Sequence, residues 1–334
     1  MSLQKSLPWT QSPLIINAPM AGFAKADLAI AVTKAGGLGQ IGGNADLEDL
    51  DAQLFKVEST LDRINGLLPI GVGLLSFAMK KDAALALVQK YKPAVVWLFA
   101  SHELSDYAEW ADGARKASPQ SQIWVQNSGV ESALEIAKNT KPDVLVIQGI
   151  DAGGHGWEAG AGIISLLPEI SDALQAAGHA THLVAAGGIA DGRGAAAAFA
   201  LGVEGVVLGT RFLSATETYI PADHRAAVLA TRDGGQNTVR DKVFDELRGP
   251  NQWPTLYDGR SLRTTSFRDH SAGVGIDEIR KRHASAVKAK DTSYGSQWAG
   301  TGVGLVREEQ AAATIVEEVR SGALASLNAA KARL

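Results

Sequence analysis

Cysteine is absent from the chain, and that zero removes disulfides, cysteine-ligated zinc, iron–sulfur clusters and every thiolate nucleophile. An excess of positive charge is absent too. Lys and Arg number 32 against 36 Asp and Glu, for a net charge of −4, and the basic residues are scattered, so nucleic acid is not an expected partner. No stretch reaches the roughly 18 apolar residues of a membrane span. The N-terminal MSLQKSLPWTQSP has no basic segment leading into an apolar core, so a cytoplasmic location is expected and a membrane is not an expected partner. The seven histidines show no metal-triad spacing, and no catalytic metal is expected.

What is present is a substantial core: 46% of residues are hydrophobic and 20% charged, the balance of a soluble globular protein. A chain of 334 residues fits two ordinary domains or one large barrel with an addition. The pattern along the chain favours the second. From residue 14 to about 230, short β-branched or apolar runs alternate with Ala-rich, amphipathic stretches such as DLAIAVTKA and VESALEIAKNT. The runs are LIINAPM, GLGQIGG, LPIGVGLL, AVVWLFA, QIWVQNS, VLVIQGI, HLVAAGGI and GVVLGTRF. Nearly continuous apolar runs mark strands buried on both faces, and eight units of even length predict a closed (β/α)8 TIM barrel rather than an open doubly wound sheet.

Beyond residue 220 the pattern breaks into polar, Gly/Pro-rich sequence with isolated aromatics, followed by a helical run near 276–290, the glycine-rich YGSQWAGTGVGLV and an amphipathic helix from about Glu308. The predicted organisation is a barrel domain over residues 1–215, completed by a C-terminal helix within 301–334. A mostly helical lid or substrate subdomain would occupy 216–300.

Residues 37–42, GLGQIG, match the dinucleotide fingerprint G-x-G-x-x-G, with Asp62 about twenty residues on. A true fingerprint follows a strand and opens a helix. Here a helical segment precedes the motif and the motif supplies the second strand, so the dinucleotide reading is rejected.

In such a barrel the C-terminal strand ends form the active face. Backbone N–H groups of Gly187, Gly188, Gly209 and Thr210 can converge where strands seven and eight end, the usual phosphate position, unless these glycines serve tight turns alone. After strand six, IQGIDAGGHGWEAG places His155 among glycines that offer nothing to pack it and cost backbone entropy. That setting suits a ligand approached by both backbone and imidazole. Asp151 could orient His155 or meet a cofactor, or be a solvated loop acid, while Trp157 and Glu158 are expected at the mouth. His182 precedes its strand and belongs to the opposite, stabilising face.

APMAGFAKADLAIAVTKAGGLG, VIQGIDAGGHG and AAGGIADGRGAAAAFALGVEGVVLGTRF, in this order, resemble the nitronate monooxygenases, formerly 2-nitropropane dioxygenases, in their fungal-type branch. RGPNQWPTLYDGRSLR and WAGTGVGLV extend the resemblance into the added segment. The resemblance implies an FMN-dependent oxidation of alkyl nitronates, or nitroalkanes, with O2 to a carbonyl compound and nitrite. By the same resemblance Met20, Ala21 and Gly22 line the flavin, and Gln148 and Gly153 contact it, with Gly154 and Asp151 beside them. Gly187, Gly188, Val207, Leu208, Gly209 and Thr210 would hold the FMN phosphate. His155 matches the catalytic histidine, which can remove an α-proton or, once protonated, attract an anionic nitronate. His102 and Thr301 are further substrate-side candidates. One departure stands out: many relatives carry Asn at the position of Gly73. An FMN-dependent enoyl-acyl carrier protein reductase, which shares the glycine-flanked histidine, and a noncatalytic flavin-binding protein are the rival expectations. Oligomeric state is left open.

Overall fold

The computed structural model describes residues 3–333. Its strands are β1 (Leu14–Asn17), β2 (Gln40–Gly42), β3 (Leu68–Leu75), β4 (Pro93–Phe99), β5 (Gln122–Asn127), β6 (Val144–Gln148), β7 (Gly154–Trp157), β8 (His182–Ala186), β9 (Gly205–Leu208), β10 (Thr238–Asp241) and β11 (Tyr257–Leu262). Eight of them form one parallel sheet in the order β1-β9-β8-β6-β5-β4-β3-β2, and these are the eight runs expected from the sequence. The sheet curls into a TIM barrel whose seam lies between β1 and β2. A single parallel bridge, Ile16 to Leu38, spans that seam. Beside it the Asn17 side chain replaces a missing ladder, its Nδ2 donating to the Gln40 carbonyl and its Oδ1 accepting from the Gln40 N–H, both at 2.9 Å.

Side-chain alternation divides the apolar residues into two layers. Leu14, Ile16, Val95, Trp97, Trp124, Val144, Val146, Val184 and Val207 fill the barrel interior, with the Trp97 and Trp124 rings 5.9 Å apart. Leu3, Leu7 and Trp9 join this interior cluster. Ile15, Ile41, Ile70, Val72, Val96, Val125, Leu145, Ala185 and Val206 point outward under the helices. Residues 37–42 turn out of the helix Ala26–Lys34 into β2, which agrees with rejecting the dinucleotide fingerprint.

The segment after the barrel holds the helices Ala222–Ala230, Gly234–Asn237, Val243–Glu246, Thr265–Ser271 and Ile276–Lys288 together with β10 and β11. Val243, Phe244, Leu247, Ile279 and Tyr294 give it a small core of its own. Its strands reach back to the barrel: β10, β11 and β7 make an antiparallel sheet in which His155 pairs with Gly259. Within the glycine-rich stretch after β6, Gly154–Trp157 is therefore a strand.

The last helix runs Ala312–Lys331, a few residues later than the expected start at Glu308. Gln310 is held extended instead, exchanging backbone hydrogen bonds with Ser214 and Thr216. This helix lies on Gly192–Ala200, so closely at Gly192 that a Cβ there would come within 2.3 Å of the Gly322 carbonyl carbon. Arg320, 6% exposed, anchors it by donating to the Pro13, Ala35 and Gly36 carbonyls. Among the described residues no helix is long and apolar enough to cross a membrane.

Candidate active site

A cavity of about 290 Å³ opens at the C-terminal ends of the barrel strands, near the lower end of the range for small-molecule sites. Met20 and Ala21 after β1, Gly73 on β3, Gln148 on β6, Gly187 and Gly188 after β8, and Gly209 and Thr210 after β9 all line it. The added segment supplies Trp253, Trp298, Gly300 and Gly302. Most of this wall is apolar or glycine, with a few polar side chains set into it.

Several glycines are required by shape. Gly187 and Gly188 have φ of 100° and 75°, a left-handed backbone that side chains other than glycine rarely adopt. A Cβ on Gly153 would lie 2.3 Å from the Gly300 nitrogen, so the strap at 299–302 can seat only over glycine. Gly154 shares that left-handed backbone, with φ of 69°, but around it and around Gly209 there is open space. No atom lies within 4 Å of the Cβ position at Gly154, and only Ala18 and Met20 atoms, at 3.6 Å or more, near that at Gly209. Both residues line the cavity, and the side chains they lack leave room for something else.

His155 is the most constrained polar group on the wall. Its Nε2 is 2.6 Å from Asp245 Oδ1, and its ring lies 3.6 Å from that of Trp253 at an interplanar angle of 8°. Trp298 stands at 4.7 Å. The backbone is fixed as well: the His155 carbonyl accepts from Gln148 Nε2 at 3.1 Å. At the neighbouring Gly156 a Cβ would meet Gln148 Oε1 at 2.6 Å, so a side chain there would displace the Gln148 amide that holds this carbonyl. Below β7, Arg240 donates to Asp258 Oδ1 at 2.6 Å, and both side chains are buried. Arg260 donates to the Ile150 carbonyl, and burial, with Arg240 nearby, lowers its pKa from the usual arginine value.

The expected site residues divide clearly. Met20, Ala21, Gln148, Asp151, Gly153, Gly154, His155, Gly187, Gly188, Val207, Gly209 and Thr210 come together on one cavity. Gly22 and Leu208 are not on its wall; Leu208 points outward into the helix-covered core. Asp151 does not hold His155. Its Oδ1 accepts from Thr301 Oγ1 at 2.9 Å and its carbonyl from the Thr301 N–H at 3.0 Å, so the two residues latch the strap to the barrel and Thr301 itself stays off the wall. His102 is exposed, edge-on to Phe77. Glu158 pairs with Lys242 on the surface, Trp157 covers Gly129, and neither is on the cavity wall. Arg193 is tied to Asp191, which caps the helix Gly192–Ala200 and takes the Arg193 and Gly194 N–H groups. Asp245, Trp253 and Trp298 had no local signal that sets them beside a histidine ninety residues or more away in the chain.

The family model described as Nitronate monooxygenase matches residues 114–322. The nitronate monooxygenase npaC of Metarhizium robertsii is 44% identical over 304 residues, 88% of this chain and 85% of its own. The chain belongs to the nitronate monooxygenase family. A nitronate monooxygenase of Neurospora crassa, 38% identical over 87% of this chain and 84% of its own, places it beside a second fungal member. The family comprises oxidoreductases that are, in general, flavin enzymes. Among solved structures, FabK from Thermotoga maritima superposes with a TM-score of 0.78 at 23% identity, covering 100% of this chain and 99% of that one. A nitroalkane oxidase from Streptomyces ansochromogenes gives 0.76 at 24% identity, covering 95% and 98%. These two likenesses establish the shared barrel and nothing about substrate.

Proposed function

We propose that the chain binds FMN in the strand-end cavity and oxidises alkyl nitronates, and nitroalkanes after loss of their α-proton, with O2 to a carbonyl compound and nitrite. The observation that carries this reading is His155, on the cavity wall and held between a carboxylate and an indole face. The room left by Gly154 and Gly209 supports a resident group of substantial size. Gly187, Gly188, Gly209 and Thr210 would hold its phosphate through backbone N–H groups. Met20, Ala21, Gly153 and Gln148 would lie along its ring. FMN, when bound, supplies the electron transfer and the reaction with oxygen.

The chain's own residues supply position and a proton site. With Nε2–H donated to Asp245, Nδ1 of the neutral imidazole is free to accept a proton. A nitroalkane gives its α-proton to that nitrogen, the bonding electron pair stays on the substrate, and the product is the nitronate. The imidazolium then faces the nitronate charge. Trp253, Trp298 and Phe99 exclude water from the site, which strengthens that attraction. In this reading residues 1–215 carry the cofactor and 216–300 act as the lid and substrate subdomain.

The test is nitrite release and oxygen uptake by FMN-loaded protein, with nitroalkane and nitronate compared in wild type and His155→Asn. Removing one general base costs about 10²- to 10⁴-fold, so nitroalkane turnover in the variant is expected to fall by that factor. A variant that keeps full turnover with both substrates contradicts the assignment of His155.

A further inference from the structure

The contact between His155 and Asp245 joins two parts of the chain ninety residues apart: a strand grown from the barrel and a four-residue helix, Val243–Glu246, in the added segment. The Asp245 side chain is only 6% exposed. Its Oδ1 takes the 2.6 Å contact to Nε2, while its Oδ2 is buried and, among the described residues, has no hydrogen-bond partner. A bare buried carboxylate oxygen costs stability. Groups left in that condition call for an explanation beyond packing. The surrounding polar groups do not supply one. Arg280, from the helix Ile276–Lys288, is spent on the Glu246 and Gly249 carbonyls, and Lys242 goes to Glu158. Among the described residues, His155 is the single charge-capable partner of Asp245.

Resting on the reading of His155 as the proton acceptor, we propose that Asp245 is a positioning residue for it. Asp245 pins the proton on Nε2, presents Nδ1 to the substrate and offsets the positive charge that the ring acquires when it takes the α-proton. The stacked Trp253 ring stops the imidazole from rotating out of that orientation, and an aromatic face also favours the cationic form. The catalytic group thus comes from the barrel and its orienting groups from the added segment, so the site is complete only when that segment is docked through the β7–β11 ladder.

Such a role acts on proton removal and much less on a substrate that arrives already deprotonated. The experiment compares a neutral nitroalkane with its preformed nitronate in FMN-loaded wild type, Asp245→Asn and Asp245→Glu, measuring kcat and KM for each. Asp245→Asn preserves volume but can present the wrong group to Nε2, and loss of such an orienting carboxylate costs up to about 10⁴-fold. The expected result is a fall of about 10²- to 10⁴-fold in nitroalkane kcat, less than about tenfold with the nitronate, and partial recovery in Asp245→Glu. Flavin content and thermal midpoint, measured on the same samples, identify a variant that has merely lost its fold or cofactor. Equal losses on both substrates in a variant that retains flavin would overturn the positioning role, as would no loss on either. So would a wild type that oxidises nitronate but leaves the nitroalkane untouched. A wild type inactive on both would instead overturn the underlying function, which separates the two failures.

Discussion

Around the cavity, single residues act mainly through how closely they let the backbone approach. Gly73 shows this most sharply. A Cβ there would sit 2.4 Å from Cβ of Pro19, in the turn that delivers Met20 and Ala21 to the wall. The Asn that the resemblance places at this position in many relatives therefore cannot be added to this backbone without moving Pro19. Gly73→Ala is expected to cost about 1–3 kcal/mol through overpacking and to weaken flavin retention; chemical denaturation and flavin release measure the two. An unchanged midpoint would show that the turn yields freely. At this scale the sequence was informative about His155, whose glycine neighbours are local, and uninformative about Asp245. Nothing in KVFDEL distinguishes Asp245 as an orienting acid from the Glu246 beside it, because the partner that gives it meaning lies ninety residues away.

Among the elements, the barrel strands were legible because burial on both faces leaves a nearly unbroken apolar run, as in β1, β6 and β9, buried throughout. Strand β7 was not. Its residues, GHGW, carry no strand pattern, and it forms because β11 brings a partner from a hundred residues later. The seam between β1 and β2 was equally hidden: Asn17 reads as an ordinary strand-end amide, yet its side chain supplies two hydrogen bonds that backbone would otherwise make. Asn17→Ala is expected to leave the buried Gln40 N–H and carbonyl less satisfied and to destabilise by about 1–3 kcal/mol. Hydrogen exchange should localise the loss to β1 and β2. Uniform exchange across the barrel would argue that the seam is not the weak point.

For the molecule as a whole, acid is expected to loosen the added segment. His224 is 3% exposed and contacts the Trp298 carbonyl at 3.1 Å; burial lowers its pKa below the ordinary 6.5. His283, 7% exposed, is lowered by burial and by Arg248. A depressed histidine favours the unfolded chain as soon as that chain can protonate. The stability contribution is complete above about 6.5 and is lost as pH falls through that value toward the folded ones. Each histidine contributes at most about 1.4 kcal/mol per pH unit, and His224→Asn should flatten its share of the slope in melts between pH 7 and 5. An identical slope in that variant would place the acid sensitivity elsewhere. The architecture at this scale was readable from eight apolar runs, whereas the way the added segment completes the site was not, since it depends on long-range pairing. The claim that a flavin in this cavity takes electrons from a nitronate is tested most directly by anaerobic titration of the FMN-loaded protein, following visible flavin absorbance, with propyl-2-nitronate and separately with NADH. Bleaching by the nitronate and not by NADH is the expected result; bleaching by NADH alone, or a protein that takes up no flavin, would contradict the account.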